Sequence, residues 1–141
     1  MRWGHAARAA AFLVLLVGCG ESMKRGEVSG KVTVDGKPLQ DGAISFFPAD
    51  GKGPTAGGVI EDGEYLVQIP LTFGDVTEAR RMKVTISAPK VVGMKKLYNT
   101  EHSIERPVTA ESLPARYNAK SELSIEVKPG NNEQNFDLKS K

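Results

Sequence analysis

Of the 141 residues, one is cysteine, one is tryptophan and two are histidine. A single cysteine excludes an internal disulfide framework and any Cys-x-x-Cys metal or redox site. Long apolar runs are missing as well. The longest, Ala9 to Gly18, is half of the roughly 20 residues that a membrane-spanning helix needs. Helical periodicity is nearly absent: only "GDVTEARR", residues 74–81, predicts so much as a helical turn. Charge of one sign is not in excess either. A basic nucleic-acid footprint needs clustered surplus charge, and none is present.

What remains at the N-terminus is ordered. Arg2 and Arg8 give a positive start, Ala9 to Gly18 an apolar middle, and small residues lead to Cys19. That is the plan of a secretory signal peptide. Leu16-Val17-Gly18-Cys19 resembles the lipobox of bacterial lipoproteins. The resemblance implies that the Cys19 sulfur takes a diacylglyceryl group, that residues 1–18 are cut away, and that the new amino group is acylated, commonly with palmitate. Two or more acyl chains give stable anchoring where one is marginal, at about 0.8 kcal/mol per buried CH₂. The other reading is ordinary secretion with a free thiol, a liability in an oxidising compartment.

The expected partner at this end is therefore a membrane, reached through lipid on Cys19, in a bacterial cell envelope. Gly20, not aspartate, follows the cysteine, which in some bacterial groups favours the outer membrane. Loss of residues 1–18 removes Arg2 and Arg8, so 19 Lys+Arg become 17 against 17 Asp+Glu. His5 and Trp3 go too, leaving His102 as the sole histidine.

Residues 19–26 predict a lipidated N-terminus with a short polar tether, and 27–141 suit one domain with one core. From Val28 the apolar residues recur with period two, the mark of half-buried strands. In "VSGKVTV" Val28, Val32 and Val34 share a face. "AISFFP", "TAGGVIE" and "EYLVQI" follow. "MKVTISA" turns Met82, Val84, Ile86 and Ala88 inward, and "SELSIEV" does so with Leu123, Ile125 and Val127. "EQNFDL" closes the chain with Gln134, Phe136 and Leu138 on one face. Asp35-Gly36, Asp41-Gly42, Asp62-Gly63 and Pro129-Gly130 supply turn chemistry between them. Seven short strands predict an all-β fold, a seven-stranded antiparallel β-sandwich of immunoglobulin-like build but with neither its disulfide nor its buried tryptophan.

"GEVSGKVTVDGKPLQDGAISFFPAD" resembles the opening of carboxypeptidase-regulatory-like domains, which share the transthyretin-like (prealbumin-like) sandwich. The matching positions are Gly30, Val32, Asp35, Gly36, Lys37, Pro38, Leu39, Gly42 and Ala43. The tail "LPARYNAKSELSIEVKPGNNEQNFDLK" is similar to the end of small bacterial lipoproteins with that domain. Residues 89–112 stand outside the pattern as an insertion. The resemblance implies a non-enzymatic accessory module without a catalytic residue set; no cofactor is expected.

Chemistry read from the residues agrees in direction. Nucleophilic catalysis needs a base beside a nucleophile, and His102 beside Ser103 is the one pairing that a small hydrolase would have. The loop reading of His102 is a solvated side chain. A zinc site needs three or four ligands, which one histidine does not supply. Aspartates 35, 41, 50, 62 and 75 lie beside turn residues, without a D-x-D-x-D-G calcium loop.

Contact sites are better supplied. Phe46 and Phe47 are adjacent, so in a strand one enters the core and the other faces out; the expectation is that residues 89–112 pack over the outer ring, and left bare it is a contact site. "PKVVGMKKLYNTEHSIERPVTAES" is long for a connection in a small domain. It mixes Lys95 and Lys96 with apolar residues and Tyr98, and reads either as a hairpin turning at Gly93 or Asn99 or as a surface for an envelope protein, glycan or anionic lipid. Tyr117 in "ARYN" resembles a tyrosine corner, whose hydroxyl bonds backbone upstream. The expected function is thus a membrane-anchored binding or structural module, with a carbohydrate-binding module as the alternative.

Overall fold

The computed structural model describes residues 24–71, 79–98 and 102–141. Cys19 and the signal-like segment lie outside them. So do residues 74–78 of the expected helical turn, while Arg80 and Arg81 already belong to a strand.

The chain forms β1 (Arg25–Val34), β2 (Lys37–Pro38), β3 (Asp41–Pro48), β4 (Ala56–Glu61), β5 (Glu64–Pro70), β6 (Arg80–Ser87), β7 (Pro89–Tyr98), β8 (Ser103–Glu111), β9 (Ser124–Val127), β10 (Gly130–Glu133) and β11 (Phe136–Leu138). A 3-10 turn spans Ala115–Tyr117. The fold is all-β. One curled, mainly antiparallel sheet runs in the order β10-β1-β5-β4-β3-β6-β9, with β2 and β11 paired to the end of β1. The hairpin β7–β8 is a second, separate sheet.

The expected strands are present, but they are not divided cleanly between two sheets. The sheet creases at β4 and β5, whose ladder holds only the pair Glu61↔Glu64. Gly58 permits the close approach at the crease: a Cβ there would come within 2.8 Å of the Val67 side chain. On either side of it the flanks face one another across a single core. Val28, Val32, Tyr65, Val67 and Ile69 of β1 and β5 meet Ile44, Phe46, Met82, Val84 and Ile86 of β3 and β6. The rings of Phe46, Tyr65 and Phe136 form a tilted series, with centroids 6.4 and 6.1 Å apart. Among the described residues, every buried core side chain lies between Val28 and Leu138.

Of the three expected Asp-Gly turns two form, whereas Asp41 and Gly42 open β3 and pair with Glu61 and Ile60. Asp35 and Gly36 have φ of 51° and 80°, and Asp62 and Gly63 have 49° and 77°. Positive φ at both central residues is the mark of the type I′ turn, whose twist suits a hairpin. The closing strand departs from expectation. It breaks at Gln134–Asn135, and its halves run parallel to β1, Gly26↔Gly130 through Ser29↔Glu133 and then Val32↔Phe136 through Val34↔Leu138. At the break the Tyr65 hydroxyl donates to the Gln134 carbonyl (2.6 Å), while the Asn135 side chain accepts from the Lys31 N–H (2.8 Å). Gly30 is required here, because a Cβ would collide with the Gln134 carbonyl oxygen.

The start of the body is also earlier than the expected boundary at Glu27. Arg25 and Gly26 are part of β1 and pair with Pro70 and Ile69. Tyr117 differs in direction: its hydroxyl accepts from the Lys139 N–H (2.9 Å), downstream of it, and the Arg116 guanidinium lies 4.8 Å from its ring centre. These contacts, with the Asp35 carboxylate receiving the Ser140 N–H and hydroxyl, fasten the C-terminus to the body.

Candidate functional site

Residues 89–112 form a two-stranded ribbon rather than a cover. Its root is made by one carboxylate. Glu111 Oε1 accepts the N–H groups of Ala88 and Leu113, both at 2.9 Å, and the Ser112 N–H bonds the Ala88 carbonyl. Burial pulls the Glu111 carboxyl upward, but these hydrogen bonds outweigh it and hold it below its ordinary pKa. Ala88 and Leu113 on either side are buried, whereas every residue from Pro89 to Tyr98 and from Ser103 to Glu111 is exposed.

The hairpin does not turn at Gly93. The strands pair from Pro89↔Glu111 out to Tyr98↔Ser103, with a bulge between Val91 and Gly93. Asn99, the other expected turning point, lies outside the described residues. Residues directly opposite share a face, so the register sorts the ribbon's charges. One face carries Lys96 and Glu105, which pair at 3.6 Å, together with Met94, Pro107 and Tyr98. The other carries Lys90, the directly opposed Lys95 and Arg106, and beyond them Leu97 and Ile104. Its three cations meet no acid there and form no salt bridge among the described residues.

The predicted contact residues therefore separate. Lys95 and Lys96 are neighbours in β7 but lie on opposite faces, and among the described residues only Lys96 has an ion-pair partner. Tyr98 is at the far end and 84% exposed. Phe46 is a correction: it is 0% exposed, in the core, and unavailable for contact. Phe47 points out, as alternation requires, opposite Lys83 of β6. The ribbon does not bury it, and it stays 40% exposed. His102, just before β8, is exposed and makes no hydrogen bond among the described residues. Cys19 lies outside those residues. No three His, Cys, Asp or Glu side chains among the described residues gather closely enough to hold a metal ion. No helix among them is long and apolar enough to cross a membrane.

A second surface escaped the sequence reading. On the outer side of β4, β5 and β1 lies a shallow groove lined by Val59, Glu61, Glu64, Leu66, Lys31 and Glu133. Val59 and Leu66 are 64% and 58% exposed. The signal was in the alternation. With Tyr65, Val67 and Ile69 turned inward, Leu66 has to face water, and an apolar residue there is an exception to the pattern.

No protein-family model matches the chain, and no curated protein does. Among solved structures it is similar to the crystal structure of a 9R-lipoxygenase from Cyanothece PCC8801, at 13% identity and a TM-score of 0.38. That match covers 82% of this chain and 16% of the lipoxygenase.

Proposed function

We propose that this chain is a lipid-anchored envelope protein whose β-body, a creased form of the transthyretin-like sandwich, is a non-enzymatic platform for contacts made by the β7–β8 ribbon. The ribbon carries the reading. Of the ten large apolar side chains exposed among the described residues, seven lie on it. Exposed apolar surface concentrated on one element marks an interaction site. An isolated two-stranded ribbon is also marginal in water, which favours a role in which something covers it.

The anchor rests on the lipobox at Leu16–Cys19, and the sandwich on the Gly30, Asp35-Gly36 and Gly42 positions. Gly30 and Gly42 are both sites where a side chain would strike backbone, the Gln134 and Ser87 carbonyls respectively. These glycines therefore have reasons in packing, as a fold motif should.

The test is in-cell cross-linking with mass spectrometry, comparing the intact chain with one in which residues 90–111 are replaced by a short Gly-Ser turn. Specific cross-links lost with the ribbon, at unchanged protein level, support the module. An identical cross-link set in both removes the ribbon from the account. For the anchor, Cys19→Ala should move the protein from the membrane to the soluble fraction. Continued fractionation with membranes contradicts lipidation.

A further inference from the structure

We infer that the basic face of the ribbon docks on the acidic outer face of the β4–β5 hairpin of a second copy of this chain, head to tail. Two like-charged cross-strand pairs carry the inference. Lys95 and Arg106 stand directly opposite one another in the ribbon. Glu61 and Glu64 stand directly opposite one another at the head of the β4–β5 hairpin, on either side of Asp62. Like charges placed opposite each other destabilise a sheet, and neither pair forms a salt bridge among the described residues. Each pair is the counter-charge of the other.

The apolar surface is distributed in the same way. Leu97 and Ile104 lie beyond the cationic pair, and Val59 and Leu66 lie beside the acidic one. Of the ten exposed large apolar side chains, Leu97, Ile104 and Val108 share the basic face and Val59 and Leu66 line the groove, whereas Val91, Met94 and Tyr98 lie on the ribbon's other face. All described residues of the ribbon strands are exposed. In the groove Lys31 stands opposite Glu64 without forming a salt bridge, and with Asp41 opposite Glu61 and Glu133 nearby the acids still outnumber that one cation.

Other modes of self-contact fit less well. Two basic faces repel each other. The opposite face of the ribbon has already neutralised Lys96 with Glu105. Pairing at the ribbon's edges is obstructed by Pro107 in β8 and by the bulge in β7, devices that blunt edge strands. Because the two patches differ, the contact is heterologous and propagates into a ring or an open row. A ribbon face about 30 Å long and 10 Å wide buries roughly 600 Å² over both partners, below the ~1,200 Å² of stable complexes. The association is therefore weak and reversible.

This deepens the reading of the chain as a binding module and rests on it only for the ribbon as contact element; the lipid anchor is not required. The experiment is sedimentation velocity on residues 20–141, which hold every buried core side chain among the described residues, from about 10 µM to about 1 mM. The expected result is a mass that rises with concentration and falls at high salt. Lys95→Gln with Arg106→Gln, and separately Glu61→Gln with Glu64→Gln, should each weaken association at least about tenfold. Mixing the two double variants should restore one charged contact, between the basic face of the Glu61→Gln/Glu64→Gln chain and the acidic face of the Lys95→Gln/Arg106→Gln chain. It should so give a one-to-one dimer that does not grow further. The exchange Lys95→Glu, Arg106→Glu, Glu61→Lys and Glu64→Lys in one chain should restore association of a single species.

A monomer at every concentration overturns the inference, as does association that ignores both neutralisations. Co-sedimentation of that monomer with anionic lipid vesicles, lost in the Lys95→Gln/Arg106→Gln variant, would assign the basic face to a membrane instead. If the copies do not associate but cross-links of the full chain to other proteins still depend on residues 90–111, the inference falls and the binding-module reading stands.

Discussion

The curled body and the β7–β8 ribbon are built from the same alternating β pattern, yet the body buries one side of nearly every strand and the ribbon buries neither. In "MKVTISA" alternation separates core from solvent. In "VVGMKKLY" it separates a neutral face from a cationic one. Period two therefore reports a two-faced strand and says nothing about what covers each face. In the body the cover is the facing flank of the creased sheet. The ribbon has no such cover among the described residues.

If that contrast is sound, substitutions in the body should act on stability and those in the ribbon on contacts. Phe46→Ala should have the largest effect, a loss of about 3–5 kcal/mol read by denaturant unfolding, because the ring is fully buried against Tyr65. Gly30→Ala should follow at about 2–4 kcal/mol, since the new methyl forces the Gln134 carbonyl off β1 and breaks the junction of β10 and β11. Tyr65→Phe removes only the hydroxyl that bonds that carbonyl and should cost about 1–2 kcal/mol.

The ribbon's root should respond to acid before the body does. The Glu111 carboxyl is depressed in the folded state, so its contribution is present above its unfolded pKa and lost as pH falls through the folded one. Ribbon amides should lose protection below the ordinary carboxylate range, and Glu111→Gln should abolish that dependence. Smallest of all, Leu97→Ala or Ile104→Ala should change unfolding free energy by less than about 0.5 kcal/mol, the usual range for exposed positions. A loss of about 2 kcal/mol at either position would erase the distinction between body and ribbon.

The strands and the Asp35-Gly36 and Asp62-Gly63 turns were legible in the sequence because they depend on local chemistry, alternation for burial and positive φ for the turns; Asp41-Gly42, with the same residue pair, entered a strand instead. Partner choice was not. Nothing in "EQNFDL" states that it will run parallel to β1, or that Gln134 will be held at a break by a tyrosine 69 positions earlier. The crease at Gly58 is likewise a relation between distant residues. The segment 89–112 was visible as the exception, and Lys95, Lys96 and Tyr98 do lie on it. The separation of Lys95 from Lys96 needed the register, because their charges matter only through what stands opposite each. The acidic groove was missed because Leu66 was read together with its buried neighbours in "EYLVQI".

Native-state hydrogen exchange on dilute, purified residues 20–141 tests the division between body and ribbon most directly. The account predicts that amides of β1, β3 and β6 exchange only by global unfolding. Those of Met94–Leu97 and Ile104–Val108 should exchange orders of magnitude faster, and slow when the protein is concentrated. Ribbon amides as protected as those of the body, in dilute monomer, would mean that the ribbon is an integral part of the fold and would contradict the account.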